Sequence, residues 1–125
     1  MKSNVFSLKS RFRSFRFALN GIFILLKNEH NARIHLVAAF AAAAIAFILK
    51  INLIEWCLIV IVIGLVFIAE LVNTSLETVA DITDPEWNET IRKAKDYSAA
   101  AVLISAIIST IVGGLIFIPR LLKLI

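Results

Sequence analysis

Three long apolar segments, within residues 31–50, 53–81 and 91–118, most strongly restrict what this chain can fold into. Hydrophobic residues make up 60% of its 125 residues, whereas roughly 45–50% is usual in soluble domains. A helix of about 20 apolar residues crosses the hydrocarbon core of a bilayer. The sequence therefore predicts one all-α integral membrane domain, with three transmembrane helices over these ranges.

The flanking segments have different patterns. In residues 5–26, large apolar residues recur at spacings of three and four with basic residues between them, which is typical of an amphipathic helix in the headgroup plane. An ordinary bundle helix is the alternative. Asp84-Pro85 predicts a turn with Pro85 at the first position of a new helix. Pro119 is expected to end the third transmembrane helix.

A stripe of polar side chains continues the second apolar segment. At about 100° per residue, its members lie within roughly 60° of one line along the helix. They are Glu70, Asn73, Thr74, Glu77 and Asp81. Ionisable groups at membrane depth are costly, so such a stripe predicts a functional site. The alternative is structural, with Asn73 and Glu77 holding helices together in an oligomer.

The distribution of positive charge predicts the orientation in the membrane. Of the 13 basic residues, seven precede or begin the first transmembrane segment, and three more lie within residues 92–95. Cytoplasmic flanks of membrane helices carry such an excess, so the N-terminus and the loop before the third helix are expected in the cytoplasm. The net charge of +4 is interpreted as favouring contact with anionic lipid headgroups. Nucleic-acid binding is not expected.

This topology brings polar groups from several helices to one membrane face. Glu29 precedes the first transmembrane helix, the stripe ends the second, and Lys95 and Asp96 begin the third. Carboxylate and amide oxygens suit Mg²⁺ when substrate phosphates complete its ligands. Lys95 can neutralise phosphate charge, and Glu70, at the apolar boundary, can accept the proton of a lipid hydroxyl. Together these groups predict phosphoryl transfer from a nucleotide to a lipid.

Other chemistries find less support in the sequence. The chain has four glycines and no phosphate-binding loop of the soluble-kinase type, and its single cysteine, Cys57, excludes a cysteine-based zinc site. His30 and His35 do not share a helix face well and are interpreted as interfacial polar residues. A small transporter or proton-relay subunit is the rival hypothesis. A relay needs protonatable groups across the midplane, where residues 57–69 and 99–118 have no charged side chain.

Several candidate site residues also have simpler interpretations. Glu29 can cap a helix or form an ion pair with Arg33, four residues later. Lys95, with Arg92 and Lys93, can serve only as positive charge on the cytoplasmic flank. Asp96 can cap the N-terminus of the third transmembrane helix.

The sequence resembles the small prokaryotic diacylglycerol kinase family, which includes the undecaprenol kinases. The resemblance rests on Asn28-Glu29, on residues 70–81 with the pattern E-x-x-N-[ST]-x-x-E-x-x-x-D, and on residues 94–102. It covers essentially the whole chain. It implies a homotrimer in a bacterial inner membrane, with ATP as co-substrate, Mg²⁺ as cofactor, and composite active sites where the surface helix and neighbouring protomers meet.

The resemblance also implies roles for individual residues. Glu70 would be the general base on the lipid hydroxyl. Glu29 and Glu77 would hold the Mg²⁺ that bridges the ATP phosphates. Lys95 and Asp96 would contact the nucleotide.

The remaining matching positions would surround these groups. Asn73 would orient the phosphate or the base, and Phe17 matches an aromatic residue placed against adenine, where a tyrosine would add a hydroxyl. Ala99 would lie near the lipid. Three further residues would lie near the base and ribose: Asp81, Glu86 and Asn88. His35 occurs where the diacylglycerol-acting branch more usually has an acidic residue, so this position resembles the polyprenol-acting branch.

Overall fold

The computed structural model describes residues 7–83 and 88–125, and every regular element in those ranges is a helix. The helices are α1 (Leu8–Asn28), α2 (His30–Ile48), α3 (Leu53–Ile82) and α4 (Glu89–Leu122). By length and composition, α2, α3 and α4 can each span a membrane. The predicted all-α membrane fold is therefore confirmed.

Helix α1 is the amphipathic element. Ser7 caps its N-terminus by accepting a hydrogen bond from the backbone N–H of Ser10 at 3.4 Å. Phe12 and Phe15 are largely exposed, whereas Leu25 is buried near the end where α1 contacts α2 and α3. An uncovered apolar face of this kind suits a helix lying in the membrane interface. The helix ends two residues beyond the predicted limit of 26, and residues 5 and 6 lie outside the described part of the chain.

A single residue, Glu29, separates α1 from α2. Its backbone is extended (φ −96°, ψ 118°), and its N–H donates to the carbonyl oxygen of Leu25 at 2.8 Å. Glu29 thus ends one helix and precedes the next, which places its carboxylate at the junction between them. Ala32, close to this junction, is fully buried.

The end of α2 is a Schellman motif, in which the chain turns through a left-handed residue. Lys50 takes that conformation with φ 51°. The N–H of Ile51 donates to the carbonyl oxygen of Ala46, and that of Lys50 to Phe47, each at 3.2 Å. These bonds satisfy carbonyl groups that the end of the helix would otherwise leave unpaired.

Pro119 does not end α4, contrary to the expectation from sequence, and the helix continues to Leu122. Proline removes a single helical hydrogen bond here, close to the end of the helix. Arg120 forms an ion pair with Glu55, which is itself held in a capping box with Asn52. This pair fixes the last turn of α4 to the first turn of α3 and explains why the helix persists.

The start of α4 also differs from the prediction. Asn88 caps the helix by accepting hydrogen bonds from the backbone N–H groups of Thr90 and Ile91, at 3.0 and 3.3 Å. The helix therefore begins at Glu89, two residues before the predicted limit, and Asp96 lies about two turns inside it. The interpretation of Asp96 as a cap is wrong. The predicted turn at Asp84-Pro85 lies outside the described residues.

The hydrophobic core sits at the end of the bundle near the α2–α3 turn. Its buried members are Ala46, Ile51, Ile59 and Ile116. Helices α3 and α4 make the most extensive contact, and Ser109 of α4 donates a hydrogen bond to the carbonyl oxygen of Val62 at 3.1 Å. The polar stripe lies at the opposite end of α3, away from this packed region.

Lys50→Gly is expected to stabilise the protein by roughly 0.5–1 kcal/mol, because a left-handed residue with a Cβ costs about 1–2 kcal/mol and glycine avoids most of that cost. The midpoint of unfolding by sodium dodecyl sulfate in mixed micelles measures the change. Lys123→Gly is the matched control, since Lys123 is also an exposed lysine after a helix but has φ −79°. An equal gain in both variants would contradict the explanation.

Candidate active site

Glu70 is the only charged residue that is buried within residues 7–83 and 88–125, with 2% of its surface exposed. Its Oε1 atom lies 3.1 Å from Nε2 of His35, whose side chain is 23% exposed. This distance suits an ion pair or a hydrogen bond with the imidazole, and Oε1 has no other partner among the described residues. The buried carboxylate therefore depends on one imidazole contact.

Two further carboxylates lie near Glu70. The negative charges of Glu29 and Glu77 both act on it. Glu77 follows Glu70 by seven residues, which is about 10 Å along α3. Helices α2 and α3 run in opposite directions from their short turn. Glu29, at the start of α2, therefore lies at the same end of the bundle as Glu77. The site thus concentrates negative charge at the boundary of the apolar bundle.

Lys95 supplies positive charge from α4. Its Nζ lies 2.9 Å from Oδ1 of Asp81 in the last turn of α3, and the charge of Glu77 also acts on it. Lys95 is therefore an interhelical partner of the stripe as well as a positive charge on a helix flank. Because a partly exposed ion pair contributes little stability, Lys95 can exchange Asp81 for a phosphate at small cost.

Asn73 is held in place by Ser98 of α4. The Ser98 hydroxyl donates to Oδ1 of Asn73 at 2.8 Å and also lies 2.9 Å from the carbonyl oxygen of Lys95. Since this contact occupies the amide oxygen, the NH₂ group of Asn73 remains as a donor for a ligand. One residue later, the hydroxyl of Thr74 is buried without a partner among the described residues.

The other predicted site residues are exposed, serve as a helix cap or lie outside the described residues. Phe17 is 66% exposed on α1, and Asp96 and Ala99 are exposed on α4. The side-chain oxygen of Asn88 is used in capping α4. Glu86 lies outside the described residues. The role proposed for each of these positions stays a prediction.

The interpretation of Glu29 as an ion-pair partner of Arg33 is not supported. Among the ion pairs formed by the described residues, none joins Glu29 to Arg33. The carboxylate of Glu29 instead acts on Glu70 across the helix boundary. This arrangement favours a role in the site over a role in stabilising α2.

His35 contacts Glu70 in the site, and the sequence patterns did not predict this contact. The feature that predicts the contact between His35 and Glu70 is the depth of each residue in the membrane. His35 follows Glu29 by six residues and Glu70 precedes Glu77 by seven, which correspond to about 9 and 10 Å. In antiparallel helices, if Glu29 and Glu77 are level, His35 and Glu70 must be level too.

The sequence is similar to known membrane enzymes. A family model described as prokaryotic diacylglycerol kinase matches residues 16–117. An undecaprenol kinase of Bacillus subtilis (strain 168) is 38% identical over 110 residues, 88% of this chain and 89% of that protein. A diacylglycerol kinase of Synechocystis is 38% identical over 112 residues, 89% of this chain and 64% of that protein. One of Escherichia coli (strain K12) is 37% identical over 84 residues, 67% and 69% of the two chains.

Ser98→Ala is expected to lower stability by about 0.6 kcal/mol, which is typical of a hydrogen bond between membrane helices, because Asn73 loses its link to α4. Denaturant titration in mixed micelles measures the loss. Thr110→Val is the matched control, since the Thr110 hydroxyl bonds only to the carbonyl oxygen of Ala106 in the same helix. A larger loss in the control would contradict the assignment.

Proposed function

The chain belongs to the prokaryotic diacylglycerol kinase family, and we propose that it transfers the γ-phosphate of ATP to the hydroxyl group of a membrane lipid. Family membership confirms the predicted enzyme class, a lipid kinase. The names of the relatives support diacylglycerol and undecaprenol as the candidate acceptors. The observation that carries the proposal is the buried carboxylate of Glu70, grouped with Glu29 and Glu77. The transporter hypothesis has no comparable support.

Glu70 acts as the general base in the proposed reaction. As the lipid oxygen attacks the γ-phosphorus in line, the lipid O–H bond breaks and its proton passes to the Glu70 carboxylate. The bond from the γ-phosphorus to the bridging oxygen breaks, and ADP leaves. Burial of Glu70 keeps water from competing with the lipid as the acceptor. Positioned general bases contribute roughly 10²–10⁴-fold to the rate.

The carboxylates fit Mg²⁺ in the way that nucleotide enzymes bind it. No group of three or more His, Cys, Asp or Glu side chains within the described ranges forms a complete metal site. Mg²⁺ does not need one, because it takes one or two carboxylates and fills the remaining positions with water and substrate phosphates. The like charges of Glu29, Glu70 and Glu77 at this end of the bundle support a cation there.

Glu29 and Glu77 are the residues proposed to hold the Mg²⁺. Glu29 lies at the α1–α2 junction and Glu77 in the last two turns of α3, so the pair joins two separate elements. When bound, the metal would neutralise charge on the ATP phosphates during transfer. The chain itself supplies the positions of the two carboxylates and the boundary that separates them from lipid.

Residues around the carboxylates are proposed to bind the nucleotide. Lys95 would release Asp81 and contact a phosphate as a point charge. The amide of Asn73, held by Ser98, would donate to a phosphate oxygen or to the base. Further contacts to phosphate, ribose and base are assigned to Asp81, Glu86, Asn88 and Asp96.

The proposed assembly is a homotrimer in a bacterial inner membrane, with the site at the cytoplasmic face. Large apolar side chains are exposed along α2, α3 and α4, so lipid and other copies of the chain must cover them. Phe17 is 66% exposed and precedes Glu29 by 12 residues, about 18 Å along α1, so its adenine contact is proposed to be made across a protomer boundary. The hydroxyl of the lipid would meet Glu70, with Ala99 near the acceptor and the tail along the spans.

The direct test supplies diacylglycerol and undecaprenol in parallel to the purified protein in mixed micelles, with Mg²⁺ and γ-labelled ATP. Label in either lipid supports the kinase proposal, and the lipid that takes up more label is the preferred acceptor. If folded protein labels neither lipid, the proposal is wrong.

Glu70→Gln is expected to lower the transfer rate by roughly 10²–10⁴-fold, because the amide cannot accept the proton. The protein should still fold and bind ATP, which nucleotide protection against thermal unfolding measures. Glu89→Gln is the matched control, since Glu89 is exposed and pairs only with Lys93 on the surface of α4. Normal turnover by Glu70→Gln would show that Glu70 is not the general base.

Glu77→Gln is expected to raise the Mg²⁺ concentration needed for half-maximal activity by about tenfold, the lower end of what loss of a metal-site partner costs. A Mg²⁺ titration at saturating ATP measures this shift. Glu89→Gln again provides the control with the same chemical change at an exposed position. An unchanged titration would show that Glu77 does not bind the metal.

A further inference from the structure

We propose that His35 carries the proton of the reaction out of the site, by accepting it from Glu70 and releasing it to water. The inference rests on the proposed kinase function and deepens it by adding a residue that acts after the base. His35 does not touch the reacting atoms and is therefore a positioning and proton-transfer residue that works through Glu70.

The burial of Glu70 favours such a partner. With only 2% of its surface exposed, the carboxyl group has little direct contact with bulk water. A base that keeps its proton is inactive in the next turnover. The site is therefore served by a group that contacts Glu70 on one side and solvent on the other.

His35 meets both conditions. Its Nε2 lies 3.1 Å from Oε1 of Glu70, and 23% of its side chain is exposed. Oε1 has no other partner among the described residues, so a proton on that atom finds the imidazole as its nearest acceptor. Imidazole is also the side chain that exchanges protons most readily near neutral pH.

Among the charged groups of the described residues around Glu70, His35 is the one placed to accept its proton. Glu29 from the α1–α2 junction and Glu77 from α3 act on Glu70 only at longer range. Lys95 from α4 is paired with Asp81. Among the ion pairs of residues 7–83 and 88–125, the contact with His35 is the one that reaches Glu70.

The proton balance of the step is complete. The lipid O–H bond breaks, and its proton forms an O–H bond on Glu70. The neutral carboxyl group then gives this proton to Nε2 of a neutral imidazole, which restores the carboxylate and leaves an imidazolium. The imidazolium releases the proton to water. One proton enters and one leaves, and no electrons are transferred.

A cleft beside His35 makes a chemical test possible. The cleft has a volume of about 250 Å³, and His35 is the only residue with a charge-bearing side chain that lines it. Its other walls are mainly apolar, among them Ala38, Val66 and Phe67. A small free imidazole can enter this space when the histidine side chain is shortened.

The experiment compares His35→Ala and His35→Gln with the wild type in the full-length protein, using the same labelled-ATP assay. Glutamine keeps a hydrogen-bonding group of similar size but cannot relay a proton. Both variants are expected to lose at least about 100-fold in kcat, the low end of a proton-transfer contribution, while KM for ATP stays within about twofold of the wild type.

Added imidazole is then expected to restore turnover to His35→Ala but not to His35→Gln or Glu70→Gln. The rescue should follow the concentration of neutral imidazole as pH is varied, because only the neutral ring can accept the proton. A merely structural histidine would not give this dependence.

Three outcomes would overturn the relay. They are wild-type turnover in His35→Gln, a loss in His35→Ala that imidazole does not reverse, and a rescue that follows imidazolium, which would show a fixed counter-charge instead. Each of these requires an active wild-type enzyme, so they are separate from failure of the kinase proposal, in which the wild type labels neither lipid.

Discussion

A carboxylate inside an apolar helix bundle must be compensated, and the compensation of Glu70 determines how the rest of the site is arranged. An uncompensated buried ion costs several kcal/mol. The contact with His35 supplies the compensation only if α2 and α3 are in register to within one helical turn. The Schellman motif at Lys50 and the capping box at Asn52 set that register from the opposite end of both helices.

The two ends of the bundle therefore have different work. Near the α2–α3 turn, buried apolar residues and the Arg120–Glu55 pair hold three helices together. At the polar end, α3 and α4 are joined by single polar contacts such as Ser98–Asn73 and Lys95–Asp81. Contacts of this kind can be exchanged for ligand groups without loosening the core. The packed end near the α2–α3 turn thus holds the helices in place while the polar contacts at the other end can be exchanged.

Local patterns in the sequence predicted most of the fold and the polar stripe of the candidate site. Helix number and the polar stripe follow from hydropathy and the helical repeat, which depend on neighbouring residues only. The contact of His35 with Glu70 depends on how deep two helices lie relative to each other. The continuation of α4 past Pro119 depends on an ion pair between residues 65 positions apart. In the proposed homotrimer the surroundings of Phe17 would include other copies of the chain, which no pattern within one chain describes.

The one-residue junction at Glu29 also gives the site a mechanical property. Phe17 lies 12 residues before it, which is about 18 Å along α1. Over that arm, a change of about 10° in helix direction at Glu29 would move the aromatic ring by about 3 Å. Since the same residue carries a proposed metal-binding carboxylate, the tilt of the arm on the membrane surface and the geometry around the cation are linked through one set of backbone angles.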